Sequence, residues 1–93
     1  MNIAVCDDEK IVTTQIESII YNICKKEHIE VDIDVFYCGT ELAKEILKGK
    51  QYDLIYLDIR MRNGNGITAA EFVRKNDENV IIIFVSKHDE YMG

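Results

Sequence analysis

The sequence predicts an α/β protein in which a parallel sheet carries helices on both of its faces. Short apolar runs alternate with amphipathic helical patterns along the chain, and this β-α-β order favours parallel strands joined by crossover helices. The 93 residues are enough for one domain but not for two. Hydrophobic residues make up 47% of the chain and charged residues 30%, which is the balance of a globular protein.

Three helices are predicted from apolar residues at a spacing of 3.6, over residues 9–28, 40–48 and 67–75. Thr40 is the expected N-cap of the second helix, and Gly49 is expected to end it. Residues 88–91 resemble the first turn of a further helix. The first helix has one predicted apolar face, which consists of Val12, Ile16, Ile19, Ile20 and Ile23.

Four strands are predicted, over residues 2–6, 31–37, 54–57 and 80–85. The second strand alternates apolar residues with Asp32 and Asp34, a pattern typical of an edge strand with one solvent-exposed face. The fourth is apolar throughout, as expected for a strand covered on both faces. Nothing after it can supply a neighbouring strand. We therefore expect a piece of a larger domain that self-associates through this strand and the first helix.

Charge and composition exclude several classes of protein. The net charge of −6 argues against a surface that binds nucleic acid. No apolar stretch approaches the ~20 residues of a membrane span, and the acidic residues 7–9 interrupt any signal peptide. Three cysteines with neither zinc-site nor redox-pair spacing are expected to be reduced thiols in a cytoplasmic protein. They are Cys6, Cys24 and Cys38.

Carboxylates follow two of the predicted strands. Asp7 and Asp8 come directly after the first strand, and Asp58 closes the apolar run of the third. In parallel sheets, ligands bind beyond the carboxyl ends of the strands. If the two strands are neighbours, the three carboxylates repel one another at one edge, a situation that a bound divalent cation relieves. The pattern thus predicts a cation site in which one carboxylate acts as a nucleophile.

The segments that carry these residues resemble the receiver domain of two-component response regulators. The match rests on residues 3–9 (IAVCDDE), 52–61 (YDLIYLDIRM), 65–67 (NGI) and 84–86 (FVS), in this order and spacing. Residues 84–91 are also similar to regulators whose output module is a LytTR-type DNA-binding domain. The resemblance implies an incomplete flavodoxin-like, doubly wound sheet of four strands in the order 2-1-3-4 with three helices. Residues 1–93 would be the N-terminal part of a single receiver domain, truncated before its fifth strand.

The resemblance also implies a role for each site residue. Asp58 would accept a phosphoryl group from a sensor histidine kinase, and Ser86 would hydrogen-bond that group and move on activation. Mg²⁺ would be held by Asp7, Asp8, Asp58 and the backbone carbonyl of Arg60. The domain would be a signalling module rather than an enzyme, limited to self-catalysed phosphoryl transfer and autodephosphorylation. In the cytoplasm it would control a C-terminal DNA-binding output domain that is absent from this chain.

Two other functions remain open at this point. One is a degenerate receiver that acts only through protein contacts. The other is a magnesium-dependent phosphohydrolase with an aspartate nucleophile, although such enzymes place Asp-x-Asp on one strand, unlike the adjacent Asp7 and Asp8. The lysine and the aromatic switch residue of the family's fifth strand are also absent. Lys87 can replace that lysine or can be a solvated loop charge, and we favour the solvated charge.

Overall fold

A computed structural model describes residues 1–61 and 64–85 of the chain, so the helical turn predicted near residue 88 lies outside the described residues. Within these ranges the main elements are β1 (Asn2–Cys6), α1 (Lys10–Lys26), β2 (Asp32–Phe36), α2 (Gly39–Leu47), β3 (Leu54–Asp58), α3 (Gly66–Asn76) and β4 (Ile81–Val85). Two further strands of two residues each, Arg60–Met61 and Gly64–Asn65, pair antiparallel in the segment after β3.

The four main strands form one parallel sheet in the order β2-β1-β3-β4, which confirms the predicted order 2-1-3-4. The register places Cys6 of β1 between Phe36 of β2 and Leu57 of β3. Asp58 at the end of β3 is level with Val85 of β4. The carboxyl ends of β1 and β3 are therefore side by side, with β4 as the edge strand next to β3.

The main hydrophobic core lies between the sheet and the pair α2 and α3. Ala4 and Cys6 of β1 point into this core, whereas Ile3 and Val5 are buried on the opposite face, where α1 packs against β1. The alternation follows from the two-residue period of a strand. The buried residues of this core are Ala4, Cys6, Leu42, Tyr52, Ile55, Leu57, Met61, Ala69, Ala70, Val73 and Val80. No helix of the described residues is long and apolar enough to span a membrane.

One side of α1 packs against the sheet and another side is exposed. Thr13 and Cys24 are its buried residues, whereas Ile19 and Ile23 are 53% and 56% exposed. The Lys10 ammonium lies 5.7 Å from the ring centre of a tyrosine that follows β2, so that flank of α1 faces β2. With 3.6 residues per turn, Ile19 and Ile23 lie on the opposite flank, towards β3 and β4. The apolar face of α1 is therefore covered only in part within the described chain, in agreement with the prediction that the first helix offers exposed apolar surface.

Within the described chain, the fourth strand is an exposed apolar edge strand, as predicted, although its composition is typical of a strand covered on both faces. Ile82 packs against the core formed with α2 and α3, but Ile81 and Ile83 point to the α1 face and are 59% and 44% exposed. No described helix covers that face at β4. We call the exposed side chains of Ile81, Ile83, Ile19 and Ile23, on the α1 side of the sheet, the apolar corner.

The ends of α2 correct one prediction and confirm another. The helix begins at Gly39, and its N-cap is Cys38 with no side-chain capping hydrogen bond, so Thr40 is not the cap. Gly49 follows the last helical residues with a φ of +98°, and its N–H donates to the carbonyl of Ile46 (3.0 Å). Glycine adopts this left-handed conformation without the steric cost of a side chain, and it ends the helix as predicted.

Tyr52 connects the segment before β3 to the sheet edge. Its hydroxyl donates to a carboxylate oxygen of Asp34 on β2 (2.7 Å), and its ring meets Phe36 edge to face. Burial of the ring, together with this hydrogen bond, raises the pKa of Tyr52 above its ordinary value. The phenol therefore stays protonated and keeps its donor proton. This contact fixes the amino end of β3, whose other end carries Asp58.

Leu42→Ala is expected to lower the free energy of unfolding by about 2–5 kcal/mol, because Leu42 is fully buried and its removal leaves a cavity. Leu47→Ala is the matched control on the same helix. Leu47 is 69% exposed, so its loss is expected to change the unfolding free energy by less than about 0.5 kcal/mol. Urea unfolding followed by circular dichroism measures both. Equal losses would contradict the described core.

Candidate metal centre

Three predicted carboxylates meet at the carboxyl edge of the sheet. Asp7 and Asp8 follow β1, and Asp58 is the last residue of β3. Because β1 and β3 are paired in parallel with Cys6 beside Leu57, the residues after these positions are level. One carboxylate oxygen from each aspartate lies within 4.8 Å of the others.

The two buried carboxylates are held in the same local way. A side-chain oxygen of Asp7 accepts the N–H of Glu9 (3.0 Å), and a side-chain oxygen of Asp58 accepts the N–H of Arg60 (3.2 Å). Both are turns in which an aspartate bonds the backbone two residues further on. The turns orient each carboxylate where its strand ends. Asp7 and Asp58 are fully buried, whereas Asp8 is partly exposed.

The charges of this cluster favour a bound cation. Three carboxylates at this separation repel one another, and burial of two of them removes the water that would screen the repulsion. A divalent cation reverses the effect by making each negative charge favourable. The donors are carboxylate oxygens, which suit Mg²⁺ and other hard cations better than the softer metals that prefer sulfur or imidazole.

A buried pair of sulfur atoms joins Cys6, the residue before Asp7, to Met61. The thiol of Cys6 donates to the thioether sulfur of Met61, with 3.7 Å between the sulfur atoms. Burial, with smaller contributions from Cys38 and the nearby carboxylates, raises the pKa of Cys6 to about 12, so the thiol keeps its proton at neutral pH. The sequence pattern identified Cys6 only as a reduced thiol, and it carried no signal for a role of Met61.

Gly66 lies where two backbone segments approach each other closely. It is the first residue of α3, and a positive φ does not explain the glycine, since among the described residues Gly49 is the glycine with positive φ. A Cβ at Gly66 would collide with the carbonyl oxygen of Asp58 and lie 2.8 Å from the Cα of Ile59. The glycine is therefore required for close approach to the backbone that carries Asp58.

The remaining predicted site residues are only partly described. The backbone N–H of Arg60 contacts Asp58 as noted above. Ser86 and Lys87 lie outside the described residues. Their predicted roles therefore stay predictions.

The strand order and the acidic edge together define a flavodoxin-like domain of the receiver class. The model of the response regulator receiver domain family matches residues 3–92, and the chain belongs to this family. It is a signalling domain of two-component response regulators, as the sequence resemblance predicted.

Curated relatives support the same assignment. The chain is 37% identical over 65 residues to the response regulator ArlR of Staphylococcus saprophyticus, a match that covers 70% of this chain and 29% of that protein. It is 30% identical to the transcriptional regulatory protein LytR of Staphylococcus aureus, over 98% of this chain and 35% of LytR. The likeness to LytR agrees with the predicted similarity to LytTR-type regulators. The chain spans about a third of the length of these relatives.

Solved structures show the same fold. The N-terminal domain of a response regulator/sensory box/GGDEF protein from Carboxydothermus hydrogenoformans superimposes with a TM-score of 0.83 at 21% identity. That match covers 97% of this chain and 67% of the other. The response regulator TrrA of Thermotoga maritima superimposes with a TM-score of 0.69 at 29% identity, over 97% of this chain and 72% of TrrA.

Gly66→Ala is expected to destabilise the fold by about 3 kcal/mol or more, because the added methyl group collides with backbone atoms that cannot rotate away. Gly49→Ala is the control. It introduces a side chain at positive φ but meets no atom within 4 Å, so its cost is expected to be about 1 kcal/mol. Urea unfolding of both variants provides the comparison. A smaller loss for Gly66→Ala than for Gly49→Ala would contradict the close approach at Asp58.

Proposed function

We propose that Asp58 is the phosphoacceptor of this receiver domain and that Asp7, Asp8 and Asp58 hold Mg²⁺ together with the backbone carbonyl of Arg60. The observation that carries this proposal is the convergence of three carboxylates within 4.8 Å at the carboxyl edge of the sheet. A complete acidic set also speaks against a degenerate receiver. The adjacent pair on one strand and the third aspartate on another differ from the Asp-x-Asp arrangement of phosphohydrolases.

The chemistry needs little more than positioning and charge neutralisation. A carboxylate oxygen of Asp58 attacks the phosphorus atom of a phosphohistidine on the kinase. A P–O bond forms as the P–N bond breaks, and the electron pair of the broken bond leaves with the imidazole, giving an acyl phosphate on Asp58. The turn through the Arg60 N–H holds the nucleophile in place. When bound, Mg²⁺ neutralises charge on the carboxylates and on the phosphoryl oxygens.

A relative supports the ligand assignment. The structure of TrrA is described as a complex with Mg²⁺-BeF, and TrrA is 29% identical to this chain over 97% of its length. The same ligand chemistry fits the oxygen donors found here. Ser86 is proposed to hydrogen-bond the phosphoryl group.

The proposed setting is a two-component pathway in the cytoplasm. The domain is proposed to take its phosphoryl group from a sensor histidine kinase and to catalyse only its own phosphorylation and dephosphorylation. The regulated output is proposed to be a DNA-binding domain, since the relative LytR is a transcriptional regulatory protein. The acidic receiver, with a net charge of −6, would make no direct contact with nucleic acid.

Treatment with acetyl phosphate and Mg²⁺ is expected to add about 80 Da, the mass of one phosphoryl group, and Asp58→Asn is expected to abolish the gain. Asp32→Asn, which alters an exposed aspartate on β2, is the control and should be labelled like the wild type. Intact-protein mass spectrometry measures each species. Labelling that survives in Asp58→Asn would refute the assignment.

We also infer that the chain self-associates through β4 and the apolar corner. In the described part of the chain, β4 pairs only with β3, and its five residues include no charge or proline that would discourage pairing. The half-exposed isoleucines of the corner add apolar surface that association would remove from water.

Light scattering is expected to show a species larger than the monomer at micromolar to millimolar concentrations. Ile83→Lys should shift the protein towards the monomer, because it places a charge on the apolar face of the edge strand. Leu47→Lys introduces the same charge at an exposed leucine of α2 and should leave association unchanged. A monomeric wild type across this range would contradict the inference.

A further inference from the structure

The side chain of Met61 is buried although it belongs to the loop segment after β3. Met61 is 8% exposed, and it is part of the main core. Its neighbour Arg60 is exposed, as expected when successive side chains of a strand point to opposite sides. In this two-residue strand, therefore, Met61 alone reaches inward.

Three parts of the fold meet at Met61. Its thioether sulfur accepts the thiol proton of Cys6 on β1, at a sulfur–sulfur distance of 3.7 Å. Its methyl group lies 3.9 Å from the position that a Cβ on Gly39, the first residue of α2, would occupy. Its backbone pairs antiparallel with Gly64.

Each partner of the sulfur contact is adjacent in sequence to a residue of the site. Cys6 directly precedes Asp7, and Met61 directly follows Arg60. The N–H of Arg60 holds Asp58, so a displacement of Met61 is transmitted to that hydrogen bond through one residue. The sulfur contact thereby connects the strand that ends at Asp7 to the segment that orients Asp58.

Backbone hydrogen bonds also join the two ends of the segment that follows Asp58. The N–H of Gly66 donates to the carbonyl of Ile59 (2.9 Å). The next pair of residues inward along the segment, Arg60 and Asn65, is paired antiparallel. The segment from Asp58 to Gly66 is thus attached at its base by backbone bonds. Among the described side chains of this segment, that of Met61 belongs to the buried core.

We propose that Met61 is a positioning residue of the carboxylate site, which fastens the segment after Asp58 to β1 through its buried contact with Cys6. The inference rests on the Mg²⁺ site proposed above. Met61 supplies no metal ligand in this role, since the candidate ligands are Asp7, Asp8 and Asp58. It fixes the relative position of Asp7 and Asp58, and with it the fit of the oxygen donors to a cation.

Isothermal titration calorimetry with MgCl₂ tests the role. Met61→Ala is expected to raise the Kd for Mg²⁺ about tenfold, a change typical when groups that orient metal ligands are lost. Met61→Leu, which restores a side chain of similar volume, is expected to recover most of the affinity. Val80→Ala is the matched core control. Val80 is 4% exposed in the same core but precedes β4, at the opposite end of the sheet, so its Kd should equal that of the wild type.

Hydrogen exchange of the Gly66 amide gives a readout that needs no metal. After correction for the global stability of each variant, this amide is expected to exchange faster in Met61→Ala than in Val80→Ala, because the segment that contains its acceptor is no longer attached to the core. Cys6→Ala removes only the sulfur atom of the partner. It should weaken Mg²⁺ binding in the same direction even if Met61→Ala does not fold.

The outcomes separate this inference from the proposed function. A wild-type chain that binds no Mg²⁺ would overturn the metal site and the role of Met61 with it. A wild type that binds Mg²⁺, together with Met61→Ala and Cys6→Ala variants of unchanged Kd, would overturn the role of Met61 alone. Equal losses of affinity in Met61→Ala and Val80→Ala would mean that Met61 contributes only general core packing. That outcome would also overturn the proposed positioning role.

Discussion

The parallel pairing of β1 with β3 is the constraint on which the acidic site depends. Asp7 and Asp58 are far apart in sequence, and they meet only because Cys6 is aligned with Leu57 at the ends of the two strands. A shift of one residue would turn each side chain to the other face of the sheet. The buried core between the sheet and the pair α2 and α3 maintains this register, because Ala4, Ile55 and Leu57 have no exposed surface there.

Burying carboxylates at this edge opposes folding, and the local structure offsets part of the cost. Asp7 and Asp58 each accept a backbone N–H two residues further on, which replaces some of the lost hydration of the carboxylates. The repulsion between the carboxylates makes the site favourable for a dication. Local rules of stability are typically broken where a protein functions. The acidic edge, with two fully buried aspartates, is such a place.

Two packing contacts hold the segment after Asp58 in a defined position. Gly66 allows α3 to begin against the backbone of Asp58, and the side chain of Met61 contacts Cys6, the residue before Asp7. Neither residue supplies a charge or a metal ligand. Both residues act through packing. Protein interiors are densely packed and resist displacement, so such contacts hold the neighbouring groups in place.

The sequence by itself determined the order of elements, the strand order through the family resemblance, and the acidic residues at the strand ends. These features were predictable because strand and helix periods are local, and because Asp7, Asp8 and Asp58 each follow an apolar run directly. Only the tertiary structure decided which faces are covered. Ile19 and Ile23 match a helical apolar face, yet α1 packs against β1 in an orientation that leaves both residues exposed. The roles of Gly66 and Met61 arise from contacts with distant backbone and sulfur atoms, and local periodicity contains no information about such contacts.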